Sequence, residues 1–367
     1  HTTMLSGQLP AQHKVVDDTV SLSKDVPVLP ELLQASGFNT GGFVSTLYVS
    51  RVFGFERGFK MFEDFDLHTE KRNLAGEVVA EDVVDEALDW LKGKQTKKKE
   101  QPFFMYVSFH EPHEPVASPK DMVDQYNGIA RNHNEAQYFA NVTNLDAAVG
   151  KLLKTLKSMK LDQNTLVIFT SDNGPETLLR YGPRSGRSFG VAEPLRGMKL
   201  WTTEAGFRVA GIMHWPAKIK PDQVSGETIS ALDFLPTFCN LAGAKVPTNL
   251  KLDGTSFLPA LEGKGVSREK PLLWVYYSAL NEHRVAMRDG KWKVLAKMNF
   301  PKTKTINQKN ESAAKGAKLS NFQMFDLSKD IDESKNLAES NPSKFKELKN
   351  IMEIHYRELV NDSHVWK

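Results

Sequence analysis

Two kinds of hydrophobic run alternate along the first two thirds of the chain. Pro102–Phe109, Thr165–Thr170 and Val209–Trp215 are short and nearly continuous in apolar, β-rich residues. Runs of that length without polar alternation suit strands buried on both faces. Asn39–Ser45 reads as a further short strand, with two glycines in it. Between these lie segments with apolar residues at helical spacing. Val26–Ser36 carries a proline suited to a first turn and ends at Gly37. Leu74–Leu91 puts Val79, Val83, Ala87, Trp90 and Leu91 on one stripe, and Leu145, Ala148, Val149, Leu152, Leu153 and Leu156 make another. Strand, helix, strand from Pro102 to Thr170 predicts a βαβ unit of a parallel sheet. Ala231–Ala242 reads as a helix kinked or started near Pro236, and Asp253–Leu261 as a turn with a short helix.

The pattern changes near Gly263–Lys270. Beyond it, Leu272–Tyr277, Arg284–Arg288 and Lys291–Ala296 predict an antiparallel meander, with Asp289-Gly290 as a hairpin turn. Lys297–Ser320 is polar enough to read as a mobile loop. Phe322–Leu327 is a fourth strand candidate and Pro342–Leu359 a closing helix. The expectation is an α/β domain over residues 1–265, with a mixed, largely parallel central sheet flanked by helices. A small C-terminal α+β subdomain follows over 266–367.

Two of the buried runs end abruptly in chemistry. Leu166–Phe169 gives way to Ser171, Asp172, Asn173 and Gly174. A carboxylate and an amide oxygen thereby arrive at the carboxyl edge of a sheet, where open α/β folds bind ligands. Adjacent hard oxygens suit Ca²⁺ or Mg²⁺; taken alone, the tripeptide D-N-G also reads as a plain turn. Pro102–Phe109 ends in H-E-P-H-E-P, which carries His110 and His113. The loop after Asn173 holds Arg180, Arg184 and Arg187, positioned either for an anionic sugar or simply for solvent.

Composition narrows the function classes. A net charge of +3 over 367 residues gives no case for nucleic acid. The lone cysteine, Cys239, sits in an apolar run, forms no internal disulfide and reads as a small core residue. No stretch is long and apolar enough to span a membrane. The chain opens on His1 without the character of a leader peptide, so the natural protein is expected to begin further upstream.

Six stretches in order resemble the formylglycine-dependent, arylsulfatase-like sulfatases of the alkaline-phosphatase-like superfamily. They are L-V-I-F-T-S-D-N-G-P-E at Leu166–Glu176, L-R-G-M-K-L-W-T-T-E-A-G-F-R at Leu195–Arg208 and H-W-P-A-K-I at His214–Ile219. D-F-L-P-T at Asp233–Thr237, L-D-G-T-S-F-L-P-A-L at Leu252–Leu261 and F-D-L-S-K-D at Phe325–Asp330 complete the set. The resemblance implies hydrolysis of a sulfate monoester, of a sulfated carbohydrate or an aryl sulfate, by a formylglycine beside one Ca²⁺. It implies that Asp172 and Asn173 form half of the calcium site. Lys199 matches the lysine that contacts the sulfate, and His113 the histidine that binds it and can protonate the leaving oxygen. His110, His1 and Arg180 are expected near the substrate. Arg208 and Glu204 read as an internal salt bridge that shapes the loop. A secreted, periplasmic or lysosomal location is implied as well.

The chain departs from the family pattern in two places. The nucleophile motif C/S-x-P-x-R precedes text like M-L-S-G, found here at Met4–Gly7; His1 takes the arginine's place, and the nucleophile is expected four residues upstream of it. Where many sulfatases carry G-K-W-H, this chain has F-V-S-T-L at Phe43–Leu47. Two alternatives remain. One is a phosphoester or phosphonate hydrolase of the same superfamily, which would bind two transition metals through extra His and Asp ligands; no such cluster follows D-N-G. The other is a catalytically degenerate protein of this fold that only binds.

Overall fold

A computed structural model describes residues 1–15, 20–67, 78–95, 101–176 and 186–366. Its elements run α1 (Thr2–Ser6), α2 (Pro10–His13), α3 (Leu29–Ala35), β1 (Asn39–Val44), β2 (Met61–Glu63), α4 (Ala80–Gln95), β3 (Phe103–Ser108), α5 (Lys120–Asp124), α6 (His133–Ser158) and β4 (Val167–Thr170). They continue with α7 (Glu204–Phe207), β5 (Gly211–His214), α8 (Phe234–Ala242), α9 (Leu258–Leu261), β6 (Leu272–Val275), β7 (His283–Asp289), β8 (Trp292–Met298), α10 (Glu311–Lys315), β9 (Leu319–Asp326) and α11 (Pro342–Asp362).

Helices pack on the parallel ladder β2-β1-β3. The α4 stripe seats Val83, Ala87, Trp90 and Leu91 against Phe43 of β1, with Leu156 of α6 in the same cluster. On another side, Leu29 and Leu33 of α3 meet Leu235 and Cys239 of α8. Burial pushes the Cys239 thiol up to about 11, as suits a core side chain rather than a nucleophile.

The βαβ expectation holds for connectivity but not for pairing. Among the described residues β4 makes no ladder with β3; it pairs antiparallel with β5, Phe169 opposite Ile212, and neither strand is buried on both faces as its apolar run suggests, since both of these side chains are exposed. Val167 and Met105 nevertheless pack in one cluster with Leu152 and Leu156 of α6, so a shared helix relates the two strands.

The C-terminal sheet is the predicted meander, in the order β6-β7-β8-β9. Its hairpin turns at Gly290 (φ +53°), with Asp289 opposite Trp292. Leu348, Met352, Tyr356 and Val360 recur every fourth residue along α11 and cover one face, against Val285, Met287, Val294 and Ala296. Lys297–Ser320 is not the loose loop its composition suggests. Phe300, Ile306 and Ala314 are buried in that same core, and α10 forms within the segment. Three well-spaced apolar anchors order a stretch that is otherwise polar.

His13 is a buried histidine of purely structural character. Its Nδ1 accepts from the Val15 N–H at 3.1 Å, so Nε2 carries the proton and donates to Thr3 Oγ1 at 3.1 Å. Burial pushes its pKa down to about 3. Because the unfolded imidazole titrates near pH 6.5, the contribution to stability is complete above that pH. It is lost as the pH falls from there to about 3, by at most about 1.4 kcal/mol per pH unit. Urea midpoints at pH 7 and pH 5 should therefore differ less in His13→Gln than in the parent protein. An equal difference would assign the acid sensitivity elsewhere.

Candidate active site

H-E-P-H-E-P divides its labour. The two glutamates face inward as anchors. Glu111 Oε1 accepts the Ala80 N–H at 2.8 Å and so caps the start of α4; burial holds its carboxyl above the usual range. Burial acts the same way on Glu114, but hydrogen bonds from the N–H groups of Gly186, Arg187 and Val116 and from Ser188 Oγ outweigh it and hold that carboxyl low. The two histidines are left facing each other, with ring centres 5.5 Å apart. Ser45 fixes the start of this turn, its Oγ accepting the His110 N–H at 2.8 Å. That gives a structural role to one residue of the departing F-V-S-T-L stretch.

His113 has a defined tautomer. A carbonyl oxygen only accepts, so Nδ1 donates to Glu114 O, at 2.5 Å. Nε2 then presents its lone pair, and Lys199 Nζ donates to it at 3.0 Å. Lys199 also lies 3.5 Å from Glu176 Oε2, and both side chains are largely buried. In the sequence Glu176 is legible only as the last letter of the D-N-G-P-E stretch, and nothing local marks it as a partner of Lys199. His110 is pushed toward its neutral form by burial and then by His113. Its Nε2 is buried without a hydrogen-bond partner among the described residues.

Backbone contact brings Lys199 to the D-N-G segment. The Gly174 N–H donates to Gly206 O at 3.1 Å, and the Lys199 N–H to Pro175 O at 2.9 Å. Neither glycine has room for a side chain. A Cβ on Gly174 would lie 1.7 Å from Ala205 O, and one on Gly206 would lie 2.0 Å from Trp201 O. Gly174→Ala should therefore separate the two loops, lowering both the melting temperature and turnover; a variant with parental values of both would contradict this docking.

The Lys199 loop is in turn braced on the C-terminal sheet. Glu204, fully buried, pairs with Lys293 at 2.9 Å and Arg288 at 3.0 Å, and with Arg208 at 3.5 Å. The Arg208–Glu204 bridge is thus present, but the closer partners come from β7 and β8. Lys293 also meets Glu333 at 3.1 Å and lies 4.2 Å from the centre of the Phe207 ring. Phe207 stacks on Trp274 of β6, 4.1 Å between centroids.

Asp172 and Asn173 stand just past the end of β4. The Asp172 side chain is half exposed and lies 3.9 Å from His1 Nε2, while His1 Nδ1 bonds Tyr106 OH. Asn173 Nδ2 donates to Gly174 O at 3.0 Å, so the amide's acceptor oxygen is Oδ1. The pair fits a hard divalent cation in donor type, yet Ca²⁺ takes six to eight oxygens. Among the described residues no three His, Cys, Asp or Glu side chains gather to complete a shell. Arg180 and Arg184 fall outside the described residues. Arg187 does not reach outward: its guanidinium is held by Val116 O and by Asn134 Oδ1 at 3.2 Å.

The sulfatase family profile matches residues 2–244. The chain belongs to the sulfatase family. A second profile, the C-terminal region of N-sulphoglucosamine sulphohydrolase, matches residues 198–362. Human arylsulfatase A is 38% identical over 199 residues, covering 54% of this chain and 36% of its own length. An N-acetylgalactosamine-6-O-sulfatase of Bacteroides thetaiotaomicron is 28% identical over 277 residues, 74% of this chain and 51% of its own. The chain thus spans about a third to a half of those curated relatives' length. Among solved structures, Ps i-CgsB in complex with k-i-k-neocarrahexaose superposes with a TM-score of 0.74 at 24% identity, covering 99% of this chain and 82% of that one. BT4656 in complex with D-glucosamine-2-N,6-O-disulfate gives 0.69 at 18%, covering 98% and 87%. They share the alkaline-phosphatase-like α/β fold with this chain. No helix among its described residues is long and apolar enough to cross a membrane.

Proposed function

We propose that the complete protein hydrolyses a sulfate monoester, with Lys199 and His113 gripping the sulfate group from two sides. Supporting it most directly is the 3.0 Å approach of Lys199 Nζ to His113 Nε2 by residues 86 positions apart, each within the motif that carries it. An anionic ester entering between them would take the ammonium as a donor to a sulfate oxygen. His113, with Nδ1 fixed on Glu114 O, could offer a protonated Nε2 only to the substrate side, where it would protonate the leaving alkoxide. Glu176 holds Lys199 in place. His110 and His1 are proposed to line the same region, and Arg180 to contact the substrate.

Asp172 and Asn173 would hold Ca²⁺, whose charge would stabilise the sulfate oxygens as they gain charge; we propose that the remaining ligands and a formylglycine nucleophile lie upstream of His1. Residues 266–367 then act as a brace for the Lys199 loop. Relatives named for sulfated hexosamines and a neighbour bound to a disulfated glucosamine favour a sulfated carbohydrate over an aryl sulfate as the natural substrate, and with it an extracytoplasmic location. Metal analysis of the complete protein should find one Ca²⁺ per chain, lost in Asp172→Ala, with hydrolysis of 4-nitrophenyl sulfate abolished by chelation. Stoichiometric zinc instead would contradict the calcium assignment and favour the phosphoester alternative.

A further inference from the structure

Lys199 sits beside a strained residue. Leu200 has φ +70°, in the left-handed region that leucine avoids. It occupies the third position of the turn Met198–Trp201, closed by the Trp201 N–H on Met198 O at 3.0 Å. A turn with positive φ there ordinarily takes glycine or asparagine. Backbone held this way persists only where its surroundings over-determine it.

The restraint comes from the segment joining β6 to β7. The Leu280 N–H donates to Leu200 O at 3.0 Å. Asn281 then clamps the next residue but one: its Oδ1 accepts the Thr202 N–H at 3.1 Å, and its Nδ2 donates to Thr202 Oγ1 and to His283 O, both at 2.9 Å. Thr202 Oγ1 donates to His283 O in turn, and Thr202 is buried. Every polar atom of the Asn281 amide is thereby committed to holding one end of the turn that presents Lys199.

We propose that Asn281 is a positioning residue, which keeps Leu200 in its left-handed conformation and so aims Lys199 at His113. This rests on the sulfate-ester reading of the site. Loosening the clamp lets Leu200 relax to negative φ, which rotates the preceding peptide and carries the Lys199 amine away from His113.

A double-mutant cycle on the complete protein tests it, with 4-nitrophenyl sulfate as the probe. In the parental background Asn281→Ala should lower kcat by about tenfold or more, the scale of a small misplacement of a reacting group. In a Leu200→Gly background the same change should cost about threefold or less, because glycine adopts positive φ without restraint. Equal losses in both backgrounds, or no loss in either, would overturn the proposal. If Asn281→Ala does not fold, Thr202→Val removes the clamp's other half and is read in the same cycle. A signal independent of turnover is the ¹⁵N resonance of His113 Nε2, which reports the hydrogen bond from Lys199. It should move in Asn281→Ala and return in the double variant, even in a protein that proved not to be a sulfatase; an unmoved resonance would also overturn the clamp.

Discussion

Lys199→Ala in the complete protein is expected to lower turnover of an aryl sulfate by about 10²-fold or more, the scale typical of a lost electrostatic contact to a developing anion. The ammonium is held at 3.0 Å from His113 and 3.5 Å from Glu176, with only 14% of the side chain exposed. Water therefore has little access to replace it. His113→Ala should show a substrate-dependent loss. An aryl leaving group needs little protonation, whereas a sugar alkoxide needs a great deal, so the deficit should be smaller on the aryl ester and about 10²-fold or more on a sugar sulfate. Melting temperatures near the parental value would separate these losses from unfolding. Near-normal turnover of both esters in either variant would remove that residue from the site.

Lys293→Met should be the most destabilising single change outside the site. The ammonium is fully buried between Glu204 and Glu333, both fully buried as side chains. Burial pushes the Glu204 carboxyl up and Lys293 pulls it down further, so it stays ionised in the fold. For Glu333, burial prevails over Lys293 and the carboxyl sits above its ordinary range. Methionine fills the volume but leaves Glu333 without its cation and Glu204 with arginines alone. Removing one partner of such a pair costs about 3–5 kcal/mol, a large share of a domain's typical stability of roughly 5–15 kcal/mol. The sign with pH follows from Glu333. A raised carboxyl favours the fold while protonated, and that advantage is lost as pH rises through the folded value. The deficit in Lys293→Met should therefore be greatest at neutral pH and shrink toward pH 5, as read from denaturant midpoints. A deficit below about 1 kcal/mol at pH 7.5 would mean the charges are not buried as described.

The sequence made the strand ends legible because residue chemistry changes there over a few positions. Phe169 gives way to Asp172 and Asn173, and Phe109 to His110 and His113, with no gradual transition. The two glutamates of H-E-P-H-E-P look equally catalytic on paper. Only their distant donors, Ala80 for one and Gly186 to Ser188 for the other, show them to be anchors. Pairing was less legible than strand identity. The spacing from β3 through α6 to β4 fits a parallel crossover, and nothing local says that β4 takes β5 as its hydrogen-bonded neighbour. Lys293 was invisible for a related reason. In W-K-V-L-A-K-M it occupies an ordinary polar place in the alternation, with Lys297 on the same face. It is buried only because Glu204 and Phe207, some ninety positions earlier, come down on that face. The turn at Leu200 was hidden too, since a leucine gives no sign of a left-handed backbone.

The central claim is that the anion held by Lys199 and His113 is a sulfate. Its most direct test gives the complete protein a matched pair of esters, 4-nitrophenyl sulfate and 4-nitrophenyl phosphate, in calcium-containing buffer and follows nitrophenol release. The account predicts turnover of the sulfate ester that depends on Lys199, with the phosphate ester a poor substrate. Efficient hydrolysis of the phosphate ester with the sulfate ester left intact would contradict it.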